Sequence, residues 1–106
     1  IAGLELHTYS SLTYDFLKQY YGAMNKTDYA FIYYNPETIE HKGLQILTPK
    51  DIKIAFGTDH IKVHTDIEEF LQGINTLNIE EKIILLMSSG NFNGMKPENA
   101  VKQLLE

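Results

Sequence analysis

Four short stretches of the chain are apolar in blocks or in alternation. Between them apolar residues recur every three or four positions, and these two periods separate strands from helices. A first strand is expected over residues 1–6, Ile-Ala-Gly-Leu-Glu-Leu, ending at the polar cluster His7-Thr8-Tyr9-Ser10-Ser11. Ser11 is placed to cap a helix whose Leu12, Phe16, Leu17, Tyr20, Tyr21 and Met24 share one face down to about residue 25. Residues 29–34 are aromatic and β-branched and stop at Asn35-Pro36, which defines a second strand. A helical turn over 37–41 precedes a loop containing Gly43.

Thr48-Pro49 opens a short helix with threonine at the cap and proline at the first helical position. Its inner face is Ile52, Ala55 and Phe56, and Gly57 ends it. Residues 60–64 alternate polar and apolar as an edge strand with one wet face would, and Thr65 or Asp66 caps the helix that buries Ile67, Phe70, Leu71 and Ile74. Residues 82–87 are apolar on both faces, as expected of a buried strand, and break into Ser88-Ser89-Gly90-Asn91. A last helix is expected from about Pro97, with Ala100, Val101, Leu104 and Leu105 inward.

Strand and helix alternate throughout, with no internal repeat. This predicts an α/β fold, a Rossmann-like three-layer domain with a mostly parallel sheet of about four strands and helices on both faces, joined by right-handed crossovers. Parallel strands end along one rim, and ligands of such sheets bind just beyond it. The rim would gather His7, Thr8, Ser10 and Ser11 from strand one, Asn35 from strand two, Thr65 from strand three, and Ser88, Ser89, Gly90 and Asn91 from strand four. Uncharged hydrogen-bonding groups dominate that set, which suits positioning a polar ligand better than making bonds.

Composition narrows the class. With 106 residues and 43% hydrophobic content the chain is one domain able to bury a core. It contains no cysteine, so no disulfide is expected, and a reducing, cytoplasmic setting fits. The formal charge is -5 and all nine basic residues are scattered lysines, which argues against a grip on nucleic acid. No run reaches the roughly 20 apolar residues that a membrane span needs. Ile1 already stands inside an apolar segment, so a piece of a longer chain is expected.

The candidate chemistry is modest. Ser88, Ser89, Gly90 and Asn91 offer amides, hydroxyls and a carboxamide suited to a carboxylate or phosphate, and equally to a plain turn. Neither a P-loop nor a Gly-x-Gly-x-x-Gly pattern is present. His60 and His64 on one strand would stand about 13 Å apart, too far to share an ion. Ser88 or Ser89 with His7 lacks the glycine spacing of a nucleophile elbow. Tyr29, Tyr33 and Tyr34 read as core, and Glu68-Glu69 and Glu80-Glu81 as solvated.

Two segments carry a resemblance: Glu5-Leu6-His7-Thr8-Tyr9-Ser10-Ser11-Leu12 and Leu85-Leu86-Met87-Ser88-Ser89-Gly90-Asn91-Phe92-Asn93-Gly94. With residues 30–36 and 44–56 they resemble the C-terminal domain of the Mur ligases, most of all the murein peptide ligases that attach recycled tripeptide to UDP-N-acetylmuramic acid. The resemblance spans residues 1–106 and implies a bacterial peptidoglycan-recycling enzyme in which a central domain binds ATP and magnesium. In that family a substrate carboxylate becomes an acyl phosphate, and an incoming amine displaces phosphate.

The C-terminal domain would close over the site and position substrate, with no catalytic residue of its own. Isolated, it would be inactive. By position, the substrate-binding residues implied are His7, Thr8, Ser10, Ser11, Ser88, Ser89, Gly90, Asn91 and Phe92. Relatives often carry arginine in the first-strand turn, and this chain has none there. The alternative reading is a non-catalytic Rossmann-like module that binds a nucleotide or a protein partner.

Overall fold

The computed structural model describes residues 1–7, 12–25, 28–58, 60–77, 85–88, 99 and 102. Strand β1 (Ala2–Leu6) leads through helix α1 (Tyr14–Leu17) and a 3-10 turn to β2 (Ala30–Tyr34). Helices α2 (Pro36–His41) and α3 (Pro49–Phe56) precede β3 (Ile61–His64), and α4 (Ile67–Asn75) precedes β4 (Leu85–Ser88). The strands form one sheet in the order β3-β2-β1-β4, and each pairing is parallel. The domain is thus a small α/β domain of Rossmann-like type.

Alternate side chains along each strand serve opposite layers. Leu6, Ala30, Ile32, Tyr34 and Ile61 pack with Leu17 of α1, Ile39 of α2, and Ile52 and Phe56 of α3. Phe31 and Tyr33 pack with Phe70, Leu71 and Ile74 of α4. Full burial of a side chain such as Phe70 contributes about 1.5–3 kcal/mol relative to exposure, so α4 is held by a few large contacts.

Local signals explain most helix boundaries. Asn35 caps α2 by accepting from the Glu37 N–H at 2.9 Å. Thr48 and Asp51 form a reciprocal capping box at the start of α3, and Gly57 ends that helix at φ 73°. Asp66 caps α4, accepting from the N–H groups of Glu68 and Glu69.

Several expectations need correction. The first helix covers only Tyr14–Leu17, capped by Thr13, followed by the 3-10 turn Lys18–Tyr20. The chain is diverted there because Tyr20 stacks on Phe56 with ring centres 5.1 Å apart, and Gly22, at φ 80°, donates its N–H to the Phe56 carbonyl instead of continuing the helix. Tyr21 is therefore 72% exposed and not part of the inner face.

Strand β4 is half exposed, with Leu85 56% accessible, because it stands at the end of the described sheet and pairs there with β1 alone. Tyr29 precedes β2 and is exposed, unlike Tyr33 and Tyr34. The face of β3 expected to be wet is turned partly under α4, where His64 lies between aromatic rings. Asn99 and Lys102 are helical and exposed. Ser11 and the inner positions of the last helix lie outside the described residues. Among the described residues no helix is long and apolar enough to cross a membrane.

Candidate functional site at the carboxyl rim

The strand order makes β1 the branch point. From it the chain winds outward to β2 and β3 on one side and returns to β4 on the other, so the topological switch falls between β1 and β4. In open parallel sheets the crevice beyond that point is where ligands bind. Here it is flanked by Leu6 and His7 at the end of β1 and by Ser88 at the end of β4.

Register sets four polar side chains in one row across the sheet. Ser88 pairs with Glu5, Glu5 with Tyr33, and Tyr33 with His64. In-register neighbours of parallel strands point to the same face, and Tyr33 places this row on the face that α4 covers. The hydroxyl of Ser88 donates to Glu5 Oε1. Glu5 is 3% exposed, and among the described residues it is the charged side chain that the fold buries.

The row has a graded electrostatic character. Burial, then the charges of Glu5, Asp66 and Glu37, push the Tyr33 phenol up to about 12, so it is a neutral hydroxyl at physiological pH. Burial pulls the His64 imidazole below its ordinary range, opposed by Glu69 and assisted by Lys62. His64 stacks on Phe31 at 6.2 Å and meets Phe70 edge-on at 6.4 Å, and its Nε2 has no hydrogen-bond partner among the described residues.

Several sequence-predicted positions fall at the rim without joining one cluster. His7 is half-buried just past β1, Thr65 is exposed just past β3, and the side chain of Asn35 is engaged in capping α2. The Ser88 hydroxyl donates to Glu5, so of the two serines considered with His7, Ser88 is turned to a carboxylate instead, and Ser89 lies outside the described residues. Thr8, Ser10, Ser11, Ser89, Gly90, Asn91 and Phe92 lie outside the described residues. His60 precedes β3 and ties the loops together, its ring nitrogens bonded to the Met24 carbonyl at 2.9 Å and the Thr58 hydroxyl at 2.6 Å. Among the described residues no three metal-ligating side chains converge.

Sequence reasoning did not assemble the row of His64, Tyr33, Glu5 and Ser88. A single glutamate inside an apolar strand was the available signal. A hollow of about 250 Å3 lies away from the rim, between α1 and α3, against Leu17, Tyr21, Ile54 and Ala55, with Lys18 and Asp51 beside it. Its walls are mainly apolar, whereas the rim offers oriented polar groups. No protein-family model, curated protein or solved structure matches the chain.

Proposed function

We propose that this chain is the substrate-positioning C-terminal domain of a bacterial, cytoplasmic, ATP-dependent amide ligase of Mur type, which joins a murein peptide to UDP-N-acetylmuramic acid in peptidoglycan recycling. The observation that carries the reading is the Glu5–Ser88 hydrogen bond across the switch point. The two segments that carry the sequence resemblance start 80 residues apart, one opening at Glu5 and the other at Leu85, yet their described strand residues, Glu5 and Leu6 of β1 and Leu85–Ser88 of β4, lie on adjacent parallel strands with Glu5 paired to Ser88.

In this reading the rim holds the incoming peptide, and closure against other domains of the same chain brings it to the reacting centre. The described residues of the rim fit neither ATP nor magnesium, since no three metal-ligating side chains converge among them. The sequence has no P-loop, and the switch point presents a buried carboxylate where a phosphate would need donors. Those groups would belong to the central domain.

The test compares this chain with a longer reading frame that includes a P-loop. The longer protein is expected to join tripeptide to UDP-N-acetylmuramic acid with ATP, and the 106-residue chain to bind tripeptide without turnover. Turnover by the short chain would refute the division of labour. A rim that responds to nucleotide but not to tripeptide would favour the binding-module reading.

A further inference from the structure

The hollow between α1 and α3 has an aromatic wall, Tyr21, whose place is set by backbone on both sides. The Tyr21 N–H donates to the Lys18 carbonyl at 3.2 Å, and the N–H of the next residue, Gly22, donates to the Phe56 carbonyl at 3.1 Å. A Cβ built on Gly57 would collide with the Tyr21 ring, so the phenol rests on bare backbone that glycine alone leaves open. Ile54, 60% exposed, adds a second apolar wall, and buried Leu17 with Ala55 completes the lining. An apolar cavity of about 150 Å3 is enough to hold benzene. About 250 Å3 therefore accommodates one six-membered ring with a short attached group.

Two charges of opposite sign stand beside this lining. Asp51 is held in place by the α3 cap, where its Oδ2 accepts the Thr48 N–H at 2.9 Å, and its Oδ1 has no partner among the described residues. Lys18 is adaptable. Its contact with Asp15 is 3.9 Å long between two exposed side chains, and such surface pairs are worth little. A ligand with an ammonium group alone would meet Lys18, and one with a carboxylate alone would meet Asp51. Together the two charges disfavour singly charged ligands and favour one that carries both.

We propose that this hollow binds a free aromatic amino acid, with its ring against Tyr21, its ammonium group on Asp51 and its carboxylate on Lys18. The open face of the Tyr21 ring offers offset stacking to a second ring. The site shares no residue with the carboxyl rim, so it stands or falls independently of the ligase reading. A second copy of this chain is the competing occupant of the same patch, and the formal charge of -5 on each copy opposes it.

The experiment follows the Ile54 and Ala55 amides by NMR in the whole chain, titrated in parallel with L-phenylalanine, phenethylamine, hydrocinnamate and L-alanine. Phenethylamine lacks the carboxylate, hydrocinnamate lacks the ammonium group and L-alanine lacks the ring. L-phenylalanine is expected to saturate the response with a Kd on the order of 1 mM. It should bind about threefold or more tighter than phenethylamine or hydrocinnamate, and L-alanine should give no response. Lys18→Ala should remove the advantage over phenethylamine. Asp51→Asn, which keeps an oxygen for the Thr48 cap, should remove the advantage over hydrocinnamate. Tyr21→Ala should abolish the response.

Equal binding of the three ring compounds, a response to L-alanine, or none to L-phenylalanine overturns the proposal. Shifts of the same amides with protein concentration, in the absence of any added compound, would assign the hollow to a second copy and overturn it as well. If a variant fails to fold, the ranking of the four compounds on the unmodified chain decides alone.

Discussion

Gly73 of α4 lies against His64 of β3: a Cβ built on the glycine would stand 3.2 Å from His64 Nε2 and 3.2 Å from Phe31 Cε1. The missing side chain is what lets the helix settle onto the imidazole. Gly73→Ala therefore sets two effects in opposition. Helix propensity gains up to about 1 kcal/mol, while crowding two buried rings costs about 1–3 kcal/mol. The net expectation is destabilisation by about 1 kcal/mol in chemical denaturation, reduced in a His64→Ala background where one of the two obstacles is gone. Stabilisation by Gly73→Ala alone would mean that α4 does not sit this close to the sheet.

The same imidazole should make stability depend on pH. Burial depresses the His64 pKa below its ordinary 6.5, with Glu69 opposing and Lys62 assisting. The unfolded chain therefore binds a proton at a higher pH than the folded one. By linkage, stability rises with pH in the window between the depressed folded value and 6.5, and falls on acidification through it. His64→Asn should remove this contribution, so the difference in unfolding free energy between variant and parent should change between pH 5 and pH 8. A difference that stays flat would mean that the ring is as readily protonated in the fold as in the open chain.

Tyr33 predicts the opposite alkaline behaviour. Its phenol, pushed up to about 12 chiefly by burial, keeps its proton in the fold where the unfolded chain would lose it near 10. The contribution is complete below pH 10 and is lost as pH rises through about 12. Ultraviolet titration should show a late-ionising tyrosine that disappears in Tyr33→Phe, and that variant should lose less stability across the alkaline window. If Tyr33→Phe leaves the late phase intact, that phase belongs to another buried phenol such as Tyr34, which burial also raises.

The features readable in the sequence are those with local causes. Thr48-Pro49 and Gly57 bound α3 because their capping bonds lie within one helical turn, and Asp66 does the same for α4. The early end of α1 has a distant cause, the bond from Gly22 to the Phe56 carbonyl, 34 positions later, and no periodicity within residues 11–25 registers it. Residues 85–87 look alike as a central or an edge strand, since apolar composition reports fit to a pleated surface and not place in the sheet order. The polar row required register. Glu5 is a single charge in an apolar run, and only the register that pairs it with Ser88 and Tyr33 gives it polar neighbours.

The ligase reading makes a kinetic prediction for the loop that follows β4. Asn91→Ala in a longer, catalytically competent chain should raise the KM for the incoming peptide about threefold to tenfold, the worth of one hydrogen bond, and leave the KM for ATP nearly unchanged. Steady-state kinetics with each substrate varied in turn separates the two. An equal effect on both constants, or an effect on ATP alone, would remove the loop from the peptide site.

On the opposite face of the sheet, Tyr34 donates its hydroxyl to the Leu47 carbonyl at 2.8 Å, a buried bond that draws the segment between α2 and α3 down onto β2. Leu47 is 3% exposed, so its carbonyl is poorly placed to exchange this donor for water. Tyr34→Phe keeps the ring and its packing but strands that oxygen, and an unsatisfied buried acceptor costs about 1–3 kcal/mol. The variant is expected to unfold at correspondingly lower denaturant, with unchanged cooperativity. Hydrogen exchange should also speed up at the start of α3, because Thr48 follows Leu47 directly and the capping box depends on where that segment lies. Loss of global stability without faster exchange in α3 would show that the bond supports the core and does not anchor the helix start.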